Sequence, residues 1–212
     1  MEELFEIPLT DIAKELTSAF GGRALPESDD VSKWVLERER KVYLDDDIGY
    51  NIIELQRLIL RWNAEDRNID PVQRRPIRLY IMSYGGELDF MWSMIDTIQM
   101  SKTPVITINM GVAASAAALI FLAGTRRYMM PHASLIIHEG SAQLAGDAVK
   151  VMDQSESYKK QLKQMKEYIL ERTEIPRQQL QKKRSNDWYI DAAYCLEHKA
   201  CDGIIATLDD II

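Results

Sequence analysis

The stretch IRLYIMSYGGELDFMWSMIDTIQMSKTPVITINMGVAASAAALIFLAG, Ile77 to Gly124, decides the fold. Ile77 to Met82 is rich in β-branched and large apolar residues and predicts a strand. Ser83-Tyr84-Gly85-Gly86 predicts a tight turn, and Leu88 to Met100 an apolar-rich helix. The cycle then repeats. Val105 to Met110 predicts a strand, Gly111 breaks it, and a small-residue helix starts at Ser115. Strand, helix, strand, helix at this spacing argues for parallel βαβ units with the helices outside.

The same alternation extends both ways. Upstream, Lys41 to Leu44 reads as a short strand, and Asp45 to Asp47 precede an amphipathic helix carrying Ile52, Ile53, Leu55, Leu58, Ile59 and Trp62. The polar segment 67–76 is a loop. Downstream, 126–130 and 134–138 are two further strands. Residues 147–172 read as one long helix, with Val151, Ser155, Tyr158, Leu162, Met165 and Ile169 forming a narrow stripe on a charged rod. Such a stripe packs against a single partner, and a contact between subunits suits it.

Residues 1–33 differ from the rest. A short amphipathic stretch (Leu4, Phe5, Ile7, Leu9, Ile12, Leu16) leads through Gly21-Gly22 to the acidic PESDD segment, and reads as an arm. Residues 34–212 are long enough for one large domain and too short for two. Apolar residues make up 46% of the chain and charged residues 28%, the balance of a soluble globular protein. A net charge of −7 disfavours nonspecific attraction to nucleic acid or anionic membrane. No basic region precedes an apolar core at the N-terminus, and no apolar run approaches the roughly 18 residues that span a bilayer. A cytoplasmic protein is expected. Cys195 and Cys201, six apart, fit neither a CxxC pair nor a zinc half-site, so buried structural thiols are expected.

Three features could carry chemistry. Ser115 stands where a strand passes through Gly111 into a helix, and exposed N–H groups at a helix N-terminus favour developing negative charge. The small neighbours Ala113, Ala114, Ala116 and Ala117 let a substrate approach; a plain N-cap serine fits the same segment. Gly85-Gly86 opens the backbone at a second strand-to-helix turn, where an N–H could serve an oxyanion hole or simply make the connection. His138 ends the apolar strand SLIIH, on the edge where parallel sheets place their sites. His132 sits in a turn and His198 in a polar segment. No histidine has a partner at metal-ligand spacing, so neither metal nor cofactor is expected.

The order strand-S-x-G-G, then G-x-A-A-S-A, then strand-I-H resembles the Clp protease proteolytic subunit family. The likeness runs from about residue 38 to the C-terminus and includes RRYMMPHASLIIHEG and the closing CDGII. It implies an α/β fold, the spiral of βαβ units shared by the Clp and crotonase families, with 147–172 as a protruding handle helix through which two rings interlock. It implies a serine endopeptidase in which Ser115 is the nucleophile, His138 the general base, and the N–H groups of Gly86 and Ala116 the oxyanion hole. Glu139 to Gly146 would bind substrate as a strand.

Several positions depart from the family. Tyr84 replaces the proline before the glycine pair, Gly140 replaces a proline, and Ala142-Gln143 replaces a second glycine pair. Read without gaps between Thr173 and Asp202, Lys183 falls where the histidine's orienting aspartate is expected, with Asp187 four residues on as a substitute. An aspartate keeps the imidazole in the productive tautomer, which a lysine cannot do.

The function implied is ATP-dependent proteolysis. Unfolded polypeptides would be fed by an AAA+ unfoldase into stacked heptameric rings, or into mixed rings with a paralogue. No GxxxxGK[ST] is present, so ATP would be handled by the partner. A catalytically impaired ring subunit acting as a docking partner is the alternative, favoured by Lys183. A crotonase-type acyl-CoA enzyme shares the fold, but the pairing of Ser115 with His138 disfavours it.

Overall fold

The computed structural model describes residues 28–140, 145–182 and 187–211. The chain divides between Glu39 and Arg40 into two units. The described part of the first is helix α1 (Ser28–Arg38), where the Arg38 guanidinium lies 4.9 Å from the centre of the Trp34 ring. The amphipathic stretch expected before it lies outside the described residues.

In the second unit, β1 (Lys41–Leu44), α2 (Asn51–Glu65), β2 (Ile77–Ser83), α3 (Leu88–Met100), β3 (Val105–Ala114), α4 (Ala116–Ala123) and β4 (Arg126–Met129) follow the alternation read from the sequence. β5 (Ser134–Ile137) and the long α5 (Ala148–Arg172) come next. The chain then adds α6 (Arg177–Lys182), β6 (Trp188–Asp191), α7 (Ala192–Glu197) and β7 (Gly203–Ile204). β1, β2, β3, β4 and β7 lie side by side and parallel. The α/β class is as expected; the exception to parallel pairing is β6, which runs antiparallel to β5.

β3 is the organising strand. On one side Val105–Asn109 pair with β2, and after an irregularity Ala113 pairs with Ser83. On the other side its partner changes partway along: Ile106–Asn109 pair with β4, and Val112–Ala114 with β5. The fork is held by Asn109, whose side chain is fully buried. Its amide Nδ2 donates to the Ser134 carbonyl at 2.9 Å, and its Oδ1 accepts the Gly111 N–H at 3.1 Å. Its own backbone carbonyl accepts the Met130 N–H at 3.0 Å. One residue therefore ties together both strands that diverge from β3.

α4 explains the run AAALIFLA. All eight of its residues are buried, so a helix that is apolar all round lies inside the core. It packs on β3 with α3 and α5 beside it. α2 buries Ile52, Leu55, Ile59 and Trp62, one face at helical spacing. α5 behaves differently along its length: Met165, Tyr168 and Ile169 are buried near its C-terminal end, whereas Val149 and Met152 in its first turns are 69% and 68% exposed. Among the described residues no helix is long and apolar enough to cross a membrane.

Cys195 and Cys201 are both free and buried, as expected. Burial pushes Cys195 far above the ordinary thiol range and, against the lowering effects of the Gly203 backbone and Arg127, Cys201 up to about 11. Neither is a thiolate at neutral pH, so neither is a ready nucleophile.

One buried charge cluster anchors the end of α2. Asp66, 3% exposed, accepts both Arg40 guanidinium N–H bonds at 2.6 and 2.7 Å and the Thr103 hydroxyl at 2.9 Å. The Arg40 bond holds its carboxyl below the usual range, outweighing the opposing effect of burial.

Two outcomes are expected from unfolding experiments. Asp66→Asn loses about 3 kcal/mol at neutral pH, measured by urea unfolding. Because the folded carboxyl is depressed, its contribution is complete above the unfolded value of about 3.9 and lost as pH falls through the folded value. The gap between wild type and variant therefore closes below about pH 4. Asn109→Leu leaves the Ser134 carbonyl and Gly111 N–H without these partners and costs about 2–4 kcal/mol in the same measurement.

Candidate active site

Ser115 occupies a backbone conformation that few non-glycine residues adopt, with φ 53° and ψ −122°. Such a conformation costs about 1–3 kcal/mol and persists only where its surroundings enforce it. Here they do. The Ser115 N–H donates to the Ile136 carbonyl at 2.9 Å, and its carbonyl accepts the Ala118 N–H at 3.1 Å at the first turn of α4. Its side chain makes no capping hydrogen bond, so the N-cap explanation of this serine does not apply. The hydroxyl stands at a helix N-terminus without serving the helix.

The glycine pair closes against it. A Cβ placed on Gly85 would lie 2.8 Å from Ser115 Cβ, 2.8 Å from the Ala114 carbonyl oxygen and 3.1 Å from the Ala116 nitrogen. Only a residue without a side chain brings this turn so near the serine, and φ is +109° besides. Gly86 is constrained by a different neighbour. A Cβ there would meet the Ile48 backbone oxygen at 2.3 Å. Ile48 donates to the Gly85 carbonyl at 2.7 Å and accepts from the Glu87 N–H at 2.9 Å, a one-residue parallel bridge around Gly86. In that pattern the N–H of the bracketed residue points away from Ile48. The part played by Ile48 carries no signal in the sequence, since it forms in space between a loop and a turn.

His138 follows β5 directly. Because Ala114 pairs with Ile136, the residues just past the ends of β3 and β5 are neighbours. β6 then supplies what the ungapped reading did not. Its antiparallel register runs Ser134 with Asp191, Leu135 with Ile190, Ile136 with Tyr189 and Ile137 with Trp188. One step further along that ladder sets His138 opposite Asp187, and directly opposed side chains approach closely. The Asp187 carboxylate oxygen lies 3.6 Å from His138 Nδ1. Lys183 lies outside the described residues. Of the two positions the sequence offered, Asp187, the substitute four residues beyond Lys183, is the one whose carboxylate faces His138. The register is pinned by burial, since Trp188 and Ile190 face the core while Tyr189 is 66% exposed. That alternation, WYID, was the signal available.

Of the other histidines, His132 is exposed in a turn. His198 stacks on Tyr194 at 3.9 Å between ring centres, and its Nδ1 lies 3.2 Å from the Tyr194 carbonyl, a packing role. Beyond His138, Tyr158 of α5 donates its hydroxyl to the Glu139 carbonyl at 2.9 Å. Burial, and secondarily the Glu139 charge, push that phenol above its ordinary value, so it stays a donor at neutral pH. This bond ties the middle of α5 to the segment expected to hold substrate. Residues 141–144, the centre of that segment and the site of Ala142-Gln143, lie outside the described residues.

A hydroxyl free of capping at a helix N-terminus, an imidazole one strand away and a carboxylate behind it are the parts of a serine hydrolase. Comparison with known proteins identifies which kind. The family model described as Clp protease matches residues 27–207. The ATP-dependent Clp protease proteolytic subunit 2 of Rhodococcus jostii is 34% identical over 197 residues, 90% of this chain and 95% of the relative. Subunit 1 of Streptomyces coelicolor is 35% identical over 175 residues, 80% of this chain and 75% of the relative. Subunit 1 of Corynebacterium jeikeium is 32% identical over 175 residues, 81% and 90% respectively. The chain belongs to the Clp protease family, and with it to the Clp-type serine peptidases.

The contact at Gly85 gives an expected outcome. Gly85→Ala meets backbone on two sides and an unfavourable φ, so it lowers the melting temperature by several degrees in calorimetry. Ala114→Gly, which adds no atoms at the same junction, shifts it by less.

Proposed function

We propose that this chain is the proteolytic subunit of a compartmentalised, ATP-dependent Clp-type protease, cleaving unfolded polypeptides through a Ser115 acyl-enzyme. The observation that carries the reading is the strained, non-capping Ser115, with His138 and Asp187 facing each other on the neighbouring strands.

In this mechanism the substrate carbonyl lies against the N–H groups of Gly86 and Ala116. The Ser115 oxygen attacks the carbonyl carbon, and its proton passes to His138 Nε2. The tetrahedral oxyanion is held by the two N–H groups, which are fixed in place before the reaction and need not reorganise. His138 returns the proton to the leaving amine, the C–N bond breaks, and water repeats the sequence on the ester. Asp187 keeps the imidazole in the tautomer with its proton on Nδ1 and stabilises the imidazolium.

The 3.6 Å between Nδ1 and Asp187 exceeds a hydrogen bond, which closes near 3 Å. Such bonds often tighten only in the working complex. Assembly is therefore part of the proposal: subunits associate into stacked heptameric rings, alone or mixed with a paralogue, and an AAA+ unfoldase delivers substrate. The exposed first turns of α5 supply a surface for the contact between rings. The peptidase domain begins at Arg40 rather than at residue 34, which lies inside α1, and the protein works in the cytoplasm. The relatives named above are ATP-dependent proteolytic subunits, which supports the division of labour.

A fluorophosphonate probe is expected to label Ser115 in the assembled protein, and Ser115→Ala to abolish both labelling and peptide cleavage. Absence of labelling in verified rings, with and without an unfoldase, sinks the peptidase reading. Asp187→Asn is expected to lower kcat by about 10³–10⁴-fold with little change in KM. Lys183→Asp, by contrast, leaves turnover within about threefold, because the position facing His138 is already filled. A large gain from Lys183→Asp would show that Asp187 does not orient the imidazole.

A further inference from the structure

His138 lies between a sheet ladder on one side and a bond from α5 on the other. The pairing of β5 with β6 runs up to Ile137 opposite Trp188, one residue before the imidazole. One residue after it, the Glu139 carbonyl accepts the Tyr158 hydroxyl at 2.9 Å. A trans peptide is planar, with its carbonyl and the following N–H pointing opposite ways, so this bond orients the whole Glu139–Gly140 link. Gly140 then turns the chain at φ +75°, passing close to the phenol: a Cβ there would lie 3.4 Å from the Tyr158 oxygen.

Packing alone leaves this corner room to move. Half-buried His138 and exposed Glu139 border a cavity of about 70 Å³, whose other walls include Leu162 and Met165 of α5, Leu180 of α6 and Trp188 of β6. A side chain facing a cavity has fewer contacts to restrict it. Asp187 does not fix the ring either, since its carboxylate is 57% exposed and stands 3.6 Å from Nδ1, beyond a hydrogen bond. Tyr158 itself is well placed to supply a fixed point. It projects from the middle of a helix whose C-terminal part, Met165, Tyr168 and Ile169, is buried in the core. Its phenol, pushed above the ordinary value first by burial, remains a donor at neutral pH.

We propose that Tyr158 is a positioning residue: by fixing the backbone just past His138 it sets the imidazole between Ser115 and Asp187, and so makes the rate of the chemical step depend on α5. The proposal rests on the reading of His138 as the general base. Tyr158 touches no reacting atom in this scheme; it acts through the ring one residue away, where small displacements cost rate rather than affinity.

The test uses the full chain in verified rings. It compares wild type with Tyr158→Phe, which removes one oxygen, and with Tyr158→Met, which fills the space without a donor and serves if the first variant disturbs assembly. The rate of fluorophosphonate labelling of Ser115 and kcat for a fluorogenic peptide both fall about fivefold, the size of one neutral hydrogen bond, while KM stays within about twofold. The same substitution in an Asp187→Asn background costs less than about twofold, because both groups act through one imidazole and their effects do not add. Full additivity marks a role elsewhere in the structure and overturns the proposal. So does a raised KM with unchanged kcat and labelling, which puts Tyr158 on the substrate instead of on His138. Wild type that is labelled, with both variants labelled and turning over at the same rate, overturns this inference alone. Wild type that is neither labelled nor active overturns the peptidase reading and this inference with it.

Discussion

Asn109 is the constraint on which the site depends. A ten-residue strand whose neighbour changes partway along leaves polar backbone groups at the fork, inside the protein, and buried groups without partners are costly. Asn109 is placed to serve both sides: its amide reaches the Ser134 carbonyl at the start of β5, while its oxygen takes the Gly111 N–H. This fixes β5 on the second half of β3. The geometry of the candidate site follows from that pairing, because Ser115 leaves β3, His138 leaves β5, and β6 hangs its own register on β5.

The strain at Ser115 is sustained by the core behind it. α4, buried on every side, cannot rotate or slide without opening a cavity. It therefore holds the first residue of its own turn in a φ that an isolated chain would avoid. The glycine pair approaches from the opposite side, limited by Ile48 on one flank and Ser115 on the other. Two elements far apart in sequence meet with no room for a Cβ. The result is a closely packed backbone arrangement around Ser115, with no slack at the turn.

α5 links this centre to the outside. Its buried C-terminal part is a packing helix like any other, but its first turns present apolar side chains to solvent, and its middle contributes Tyr158 to the segment after His138. One helix thus both holds the segment after His138 and carries exposed apolar side chains in its first turns.

Much of this was legible in one dimension. Strand and helix alternation from Lys41 to Arg172 is written in β-branched runs, glycine breaks and helical spacing, because these follow local steric preference. Ser115, His138 and the Gly85-Gly86 turn were visible for the same reason: each marks the end of a periodic segment. What lay beyond the sequence was pairing. Counting residues along the chain put Lys183 at the family's aspartate position and left Asp187 as a substitute, since counting assumes that offset along the chain equals offset in space. The antiparallel ladder between β5 and β6 decides which residue faces His138, and that residue is Asp187. Likewise, the bridge from Ile48 to Gly86 joins segments some forty residues apart. Composition and periodicity determine which elements form, because those energies are local. Which side chains face one another across the site is settled by strand register and close packing, which exist only once the chain has folded.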